Sequence, residues 1–177
     1  MAVTRLEQIS TKKGDSGKSK NYNDDAFSKD DPLFETLGTI DELSSFLGLT
    51  YHEAKLPIIK TVQENLQTIN SMIATNPRSD LYQRIKYITD MDIEFIEDHI
   101  QATLNSYPSN DTFYLPGTEK TKVGAYFDVC RTIARRAERR LITFVKSHRR
   151  KDLSYAQKYI NRLSDLLFVL SLKDSEF

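Results

Sequence analysis

The chain has 177 residues, with 25 basic and 25 acidic side chains, one cysteine, no tryptophan and 39% hydrophobic residues. That length suits one domain with a full core, and the lone Cys130 excludes a disulfide framework and a cysteine-based zinc site. No apolar run nears the ~20 residues of a membrane span, and the polar start MAVTRLEQISTKK has no secretory h-region, so the reducing cytoplasm is the expected compartment.

Residues 1–31 are polar and without period, and Pro32 closes them; they are expected to form an extended arm. After Gly38 a helical pattern begins, with Ile40, Leu43, Phe46 and Leu47 on one face. Pro57 suits the first turn of a second helix carrying Ile59, Val62, Leu66, Ile69 and Ile73. Asn76-Pro77 ends it. Residues 78–89 are mixed, with room for a short helix around Leu81–Tyr87. A third helix starts near Asp90 and carries Ile93, Ile96, Ile100 and Leu104 up to Pro108. From about Lys120 the strongest pattern begins, through Val123, Phe127, Cys130, Ala134, Ala137, Leu141 and Phe144. The last helix repeats it with Leu153, Ala156, Ile160, Leu163, Leu167 and Leu170. Sustained spacing of three and four residues, with little strand signal, predicts an all-α fold. We expect one domain over 1–177: an antiparallel bundle of about five helices over 38–172, with the arm at 1–31.

Net neutrality would argue against a polyanionic partner only if the charges were evenly mixed, and they are not. Residues 120–151 hold eleven basic and two acidic side chains, a net of nine positive. The remainder holds 14 basic and 23 acidic ones. Such a segment either attracts phosphates or is a solvated helix face rich in arginine.

Within it Arg131, Arg135, Glu138 and Arg139 share one face beside the apolar stripe. Arginines there can fork onto phosphates, or pair with acids on neighbouring helices. Asn161, Ser164 and Asp165 lie within one turn of each other beside the apolar stripe of the last helix, where the arginine face would suit them. In the arm stretch TKKGDSGKS (11–19), Gly17-Lys18-Ser19 resembles the end of a Walker A loop, but Lys12 stands where the first glycine belongs. Two close glycines still free the backbone to wrap an anion, and Ser19 offers a hydroxyl to phosphate or hydrated Mg²⁺. His52, His99 and His148 lack metal-ligand spacing, and Cys130 is most simply a core residue.

Together these segments resemble the PduO-type ATP:corrinoid adenosyltransferases. Four blocks carry the resemblance, in family order: TKKGDSGKS (11–19), SKDDPLFETLGTIDELSSFLG (28–48), FYLPG (113–117), and CRTIARRAERRL (130–141) with INRLSDLLFVL (160–170). The sequence departs from the family pattern at Thr118 in place of a second glycine and at Asp128 in place of a histidine.

The resemblance implies a five-helix, ferritin-like bundle that forms a homotrimer with active sites between subunits. It implies transfer of the 5′-deoxyadenosyl group of ATP to the cobalt of cob(I)alamin, with Mg²⁺ accompanying ATP. By the same resemblance, Arg131 pairs with Asp41 and organises the site, and Arg135 contacts phosphate. Glu138 and Asn161 contact the nucleoside, with Arg139 beside them. Thr11, Gly14, Asp15, Gly17 and Ser19 form the phosphate loop, Lys29 reaches the triphosphate, and Phe113 fills the lower face of the corrin. A cobalamin reductase or a B12-dependent enzyme would be the protein partner, with no role for nucleic acid or membrane. The alternatives are a catalytically weak homologue that carries or senses ATP or cobalamin, and a helical nucleic-acid binder.

Overall fold

The computed structural model describes residues 3–6, 9–10, 12, 14–108 and 114–173. Five helices follow in order: α1 Pro32–Ala54, α2 Pro57–Ala74, α3 Asp90–Ser106, α4 Lys122–His148 and α5 Ser154–Ser171. The all-α bundle is as expected, with three local differences.

The first helix starts at Pro32, six residues before Gly38. Asp31 caps it, its Oδ1 accepting from the Leu33 N–H at 2.8 Å, and Pro32 occupies the first turn, where a missing N–H costs nothing. Leu33 and Thr36 are buried there. Gly38 lies exposed inside the helix, so it marks no boundary. The second difference is in the arm. Strand β1, Lys18–Lys20, pairs antiparallel with β2, Ala26–Ser28. Three-residue strands leave almost no sequence period to detect. Third, the segment before α3 contains only a 3₁₀ turn at Tyr82–Arg84.

The core lies where the helices turn their apolar stripes inward. Helix α4 packs against α1 and α5, α5 also against α3, and α1 against α2. Phe127, Phe144 and Tyr159 are its largest fully buried side chains. Cys130 belongs to it: the thiol faces Thr50 Oγ1 at 3.6 Å, and burial pushes its pKa up to about 11. Gly124 permits a close approach of α4 to α5, since a Cβ there would lie 2.6 Å from the Ser171 carbonyl oxygen. Among the described residues no helix is long and apolar enough to cross a membrane.

Side-chain pairs fix the register of α1 against α4. Glu35 lies opposite Arg140 at 3.4 Å, Glu42 opposite Arg136, and Thr50 opposite Cys130. The two helices therefore run antiparallel. This register decides which functional side chains can meet.

Candidate functional site

Helix α4 turns Phe127, Cys130, Ala134, Ala137 and Leu141 into the core. Arg131, Arg135, Glu138 and Arg139 then fall along one flank. Arg131 and Glu138 are half-buried, while Arg135 and Arg139 are exposed. Neither exposed arginine forms an ion pair among the described residues.

Helix α5 brings its polar residues to this flank. Asn161 Nδ2 donates to Glu138 Oε1 at 2.9 Å. The other end of the same amide is also held, because Arg162 Nη1 donates to Asn161 Oδ1 at 2.8 Å. Arg162 Nε in turn donates to Glu97 Oε1 of α3 at 2.7 Å. A chain of hydrogen bonds thus runs from α3 through α5 to α4 and fixes which atom of Asn161 faces Glu138. Asp165 lies beside this cluster. Burial raises its carboxyl pKa above the ordinary value; Glu138 adds to the shift, and Arg162 and Arg135 oppose it. Ser164 is buried, and its hydroxyl donates to the Asn161 carbonyl oxygen at 2.9 Å.

The arm builds a second group. The Gly17 N–H donates to the Gly14 carbonyl at 3.2 Å, and the Lys29 N–H donates to the Gly17 carbonyl at 2.9 Å. The hairpin thereby folds Lys29 back over the loop. Its Nζ would lie 2.8 Å from a Cβ at Gly14, so a side chain there would push the ammonium out of this position. Asp15 and Gly17 are exposed and Ser19 half-buried beside it. The Tyr22 N–H donates to the Ala74 carbonyl at 2.9 Å, and His148 Nε2 lies 3.2 Å from Asp31 Oδ1. These contacts dock the arm on the ends of α2 and α4. Thr11 and Phe113, two expected site residues, lie outside the described residues.

The expected pair of Arg131 with Asp41 does not form within the chain. Arg131 Nε donates to Asp128 Oδ1 at 2.7 Å. Asp41 Oδ1 accepts from Asn70 Nδ2 of α2 at 2.7 Å. The helix register explains this. Cys130 sits opposite Thr50, so Arg131 is level with the far end of α1, about eight residues or 12 Å along the axis from Asp41. Asp41 instead lines a groove of about 590 Å³ between α1 and α2, with Tyr22, Leu37, Ser44, Lys60 and Asn70 among its walls. The loop at 14–19 likewise has no hydrogen bond or ion pair to Arg131–Arg140 among the described residues.

Sequence reading missed Arg162, Glu97 and the role of Asp128. Asp128 was visible in principle, as an acid three residues before an arginine on a predicted helix. Glu97 carried no such signal: it meets Arg162 across 65 residues of chain.

The family model described as Cobalamin adenosyltransferase matches residues 9–173. The chain is 35% identical to the corrinoid adenosyltransferase MMAB of Homo sapiens, covering 94% of this chain and 68% of that protein. It is 34% identical to the MMAB protein of Bos taurus, covering 94% and 71%. Among solved structures it is similar to a variant PduO-type ATP:corrinoid adenosyltransferase from Lactobacillus reuteri complexed with cobalamin and ATP. The TM-score there is 0.78 at 28% identity, over 91% of this chain and 90% of the other. The chain belongs to the cobalamin adenosyltransferase family.

Proposed function

We propose that this protein transfers the 5′-deoxyadenosyl group of ATP to the cobalt of cob(I)alamin, giving adenosylcobalamin and triphosphate. The observation that carries the reading is the Asn161–Glu138 pair, oriented by Arg162 and flanked by Arg135 and Arg139, which have no ion pair among the described residues. That arrangement offers directional hydrogen bonds to a nucleoside and guanidinium forks to its phosphates. Cobalt(I) supplies the electron pair that forms the bond to C5′, and the C5′–O bond breaks to release triphosphate. The protein therefore needs no nucleophile of its own. Its tasks are to align C5′ with cobalt and to stabilise charge on the departing triphosphate.

In this reading Arg135 and Lys29 meet the phosphates, Arg139 lies at their edge, and the loop Thr11, Gly14, Asp15, Gly17 and Ser19 wraps them. Among the described residues no three histidine, cysteine or carboxylate side chains cluster as a metal cage. Mg²⁺ that travels with a nucleotide needs none, because phosphates and water supply most of its ligands. The donors present fit that mode, with Ser19 as the protein ligand. By the family resemblance, Phe113 is the residue assigned to the lower side of the corrin.

We further infer a homotrimer with active sites between subunits. The 12 Å offset between Arg131 and Asp41 supports it, since their pair can then form only between two copies. The groove that holds Asp41 is open to receive a guanidinium. The reducing cytoplasm, with a reductase that supplies cob(I)alamin, is the setting in which we place the reaction. The expected test result is conversion of anaerobic cob(I)alamin with MgATP to adenosylcobalamin, followed by visible absorbance. ATP binding without conversion refutes the enzyme reading and leaves a carrier or sensor. Sedimentation of Asp41→Asn as a smaller species than wild type is the outcome expected for the trimer.

A further inference from the structure

We propose that Asp128 is a positioning residue for Arg131, a role in turnover that rests on the adenosyltransferase reading above. Arg131 Nε donates to Asp128 Oδ1 at 2.7 Å, one helical turn earlier on α4. The two side chains are only 25% and 15% exposed. A guanidinium donates from several edges, and this pair uses the Nε edge alone. Among the described residues Nη1 and Nη2 of Arg131 make no hydrogen bond. Asp128 thus anchors the base of the fork and leaves both tines for a second carboxylate or a phosphate oxygen.

The rest of the face gives a second reason. Arg131 and Arg135 stand four residues apart on one helix, a spacing at which like charges repel. Asp128 lies on the N-terminal side of Arg131, away from Arg135. It offsets that repulsion and draws the Arg131 guanidinium back along α4. The two arginines can then occupy one face with different tasks, Arg131 held in place and Arg135 open to solvent. Without Asp128 the Arg131 side chain keeps its charge but loses its fixed direction. A displacement of about 1 Å in a positioning group can cost on the order of a hundredfold in rate.

The experiment uses the full-length protein with cob(I)alamin and MgATP, and compares Asp128→Ala with Asp128→Asn. Asparagine keeps an oxygen that accepts from Nε. We expect Asp128→Ala to lower kcat about tenfold with little change in KM for ATP, and Asp128→Asn to recover kcat to within about threefold. A second readout does not depend on activity. The Arg131 Nε–H resonance, assigned by its loss in Arg131→Lys, should exchange slowly in wild type and Asp128→Asn and fast in Asp128→Ala. Wild-type kcat in Asp128→Ala overturns the proposal, as does equal impairment of both variants or fast Nε–H exchange in wild type. Should Asp128→Ala not fold, the wild-type and Asp128→Asn exchange rates decide. Failure of wild type to form adenosylcobalamin refutes the enzyme reading instead, and the Nε–H exchange then tests the anchoring by itself.

Discussion

Arg150 is the one buried charged side chain among the described residues, 6% exposed, and its removal is the sharpest test of how the bundle end is held. Its Nη2 donates to the Met72 carbonyl at 2.6 Å and its Nη1 to the Ile73 carbonyl at 3.2 Å, satisfying oxygens that the end of α2 leaves without helical partners. Nε and Nη2 bind Asp152 at 3.0 and 2.8 Å. Asp152 also accepts from the Tyr82 hydroxyl at 2.5 Å. Breaking one partner of a buried pair costs about 3–5 kcal/mol. The Asp152 side chain is 28% exposed, which places Arg150→Ala at the low end, about 3 kcal/mol. For a chain of this size that is a fall in Tm of about 9 °C. Urea unfolding at fixed protein concentration should show a lower midpoint with unchanged m. A pH series adds a sign. Burial pushes the Asp152 carboxyl pKa up, but the Arg150 and Tyr82 hydrogen bonds outweigh burial and hold it below the ordinary value. A carboxylate held low in the folded state stabilises the fold above its unfolded pKa of about 4, and that contribution is lost as pH falls through the folded value. The gap between wild type and Arg150→Ala should therefore be full at neutral pH and narrow below about pH 4. A loss under about 1 kcal/mol, or a gap that widens in acid, would refute the reasoning.

Gly14→Ala should displace the Lys29 ammonium while leaving the bundle intact. We expect KM for ATP to rise about tenfold with Tm unchanged, and an unchanged KM would remove Lys29 from the phosphate site. Arg162→Ala releases the carbonyl end of the Asn161 amide, so nucleotide affinity by calorimetry should fall about tenfold. Affinity equal to wild type would mean that Glu138 alone orients Asn161. Cys130 should resist a thiol reagent at pH 8 in the folded protein, because burial both shields it and raises its pKa to about 11. Reaction as fast as in urea would place the thiol at the surface.

Helices were legible in the sequence wherever an apolar stripe ran long enough to show its period, as from Val123 to Phe144. The start of α1 was not, because Gly38 looked like a boundary. A helix tolerates one exposed glycine at a cost of about 1 kcal/mol, and the stronger signals were Asp31 and Pro32. The hairpin was too short to declare itself. At the site, the match of Asn161 to the arginine face could be read from helical spacing, and the structure joins it to Glu138. The spacing could not say that Arg162 would turn back from α5 to Glu97 on α3. Nor could it say that Arg131 and Asp41 would stand at different levels. Such facts belong to the register between helices, which is set by packing and not by local pattern.

The basic segment illustrates the same point in terms of charge. Its excess of nine positive charges is not a uniform field. Arg136 and Arg140 lean across to Glu42 and Glu35 of α1, Arg131 takes Asp128, and Arg150 takes Asp152. The two cross-helix pairs are half exposed, so each contributes only ~0–1 kcal/mol. Their effect is on register, since a one-turn slip of α1 would break both at once. The Arg150 pair is shielded and stabilises the bundle end. Arg135 and Arg139, without ion pairs among the described residues, lie on the flank where α5 presents Asn161. A nucleic-acid surface would call for basic side chains spread over a face and left open to a long polyanion. Here four of the seven arginines already have carboxylates; of the three without an ion pair among the described residues, Arg149 caps the far end of α4, and Arg135 and Arg139 stand one turn apart beside an oriented amide. That arrangement suits one small polyphosphate with a base attached better than a long polyanion.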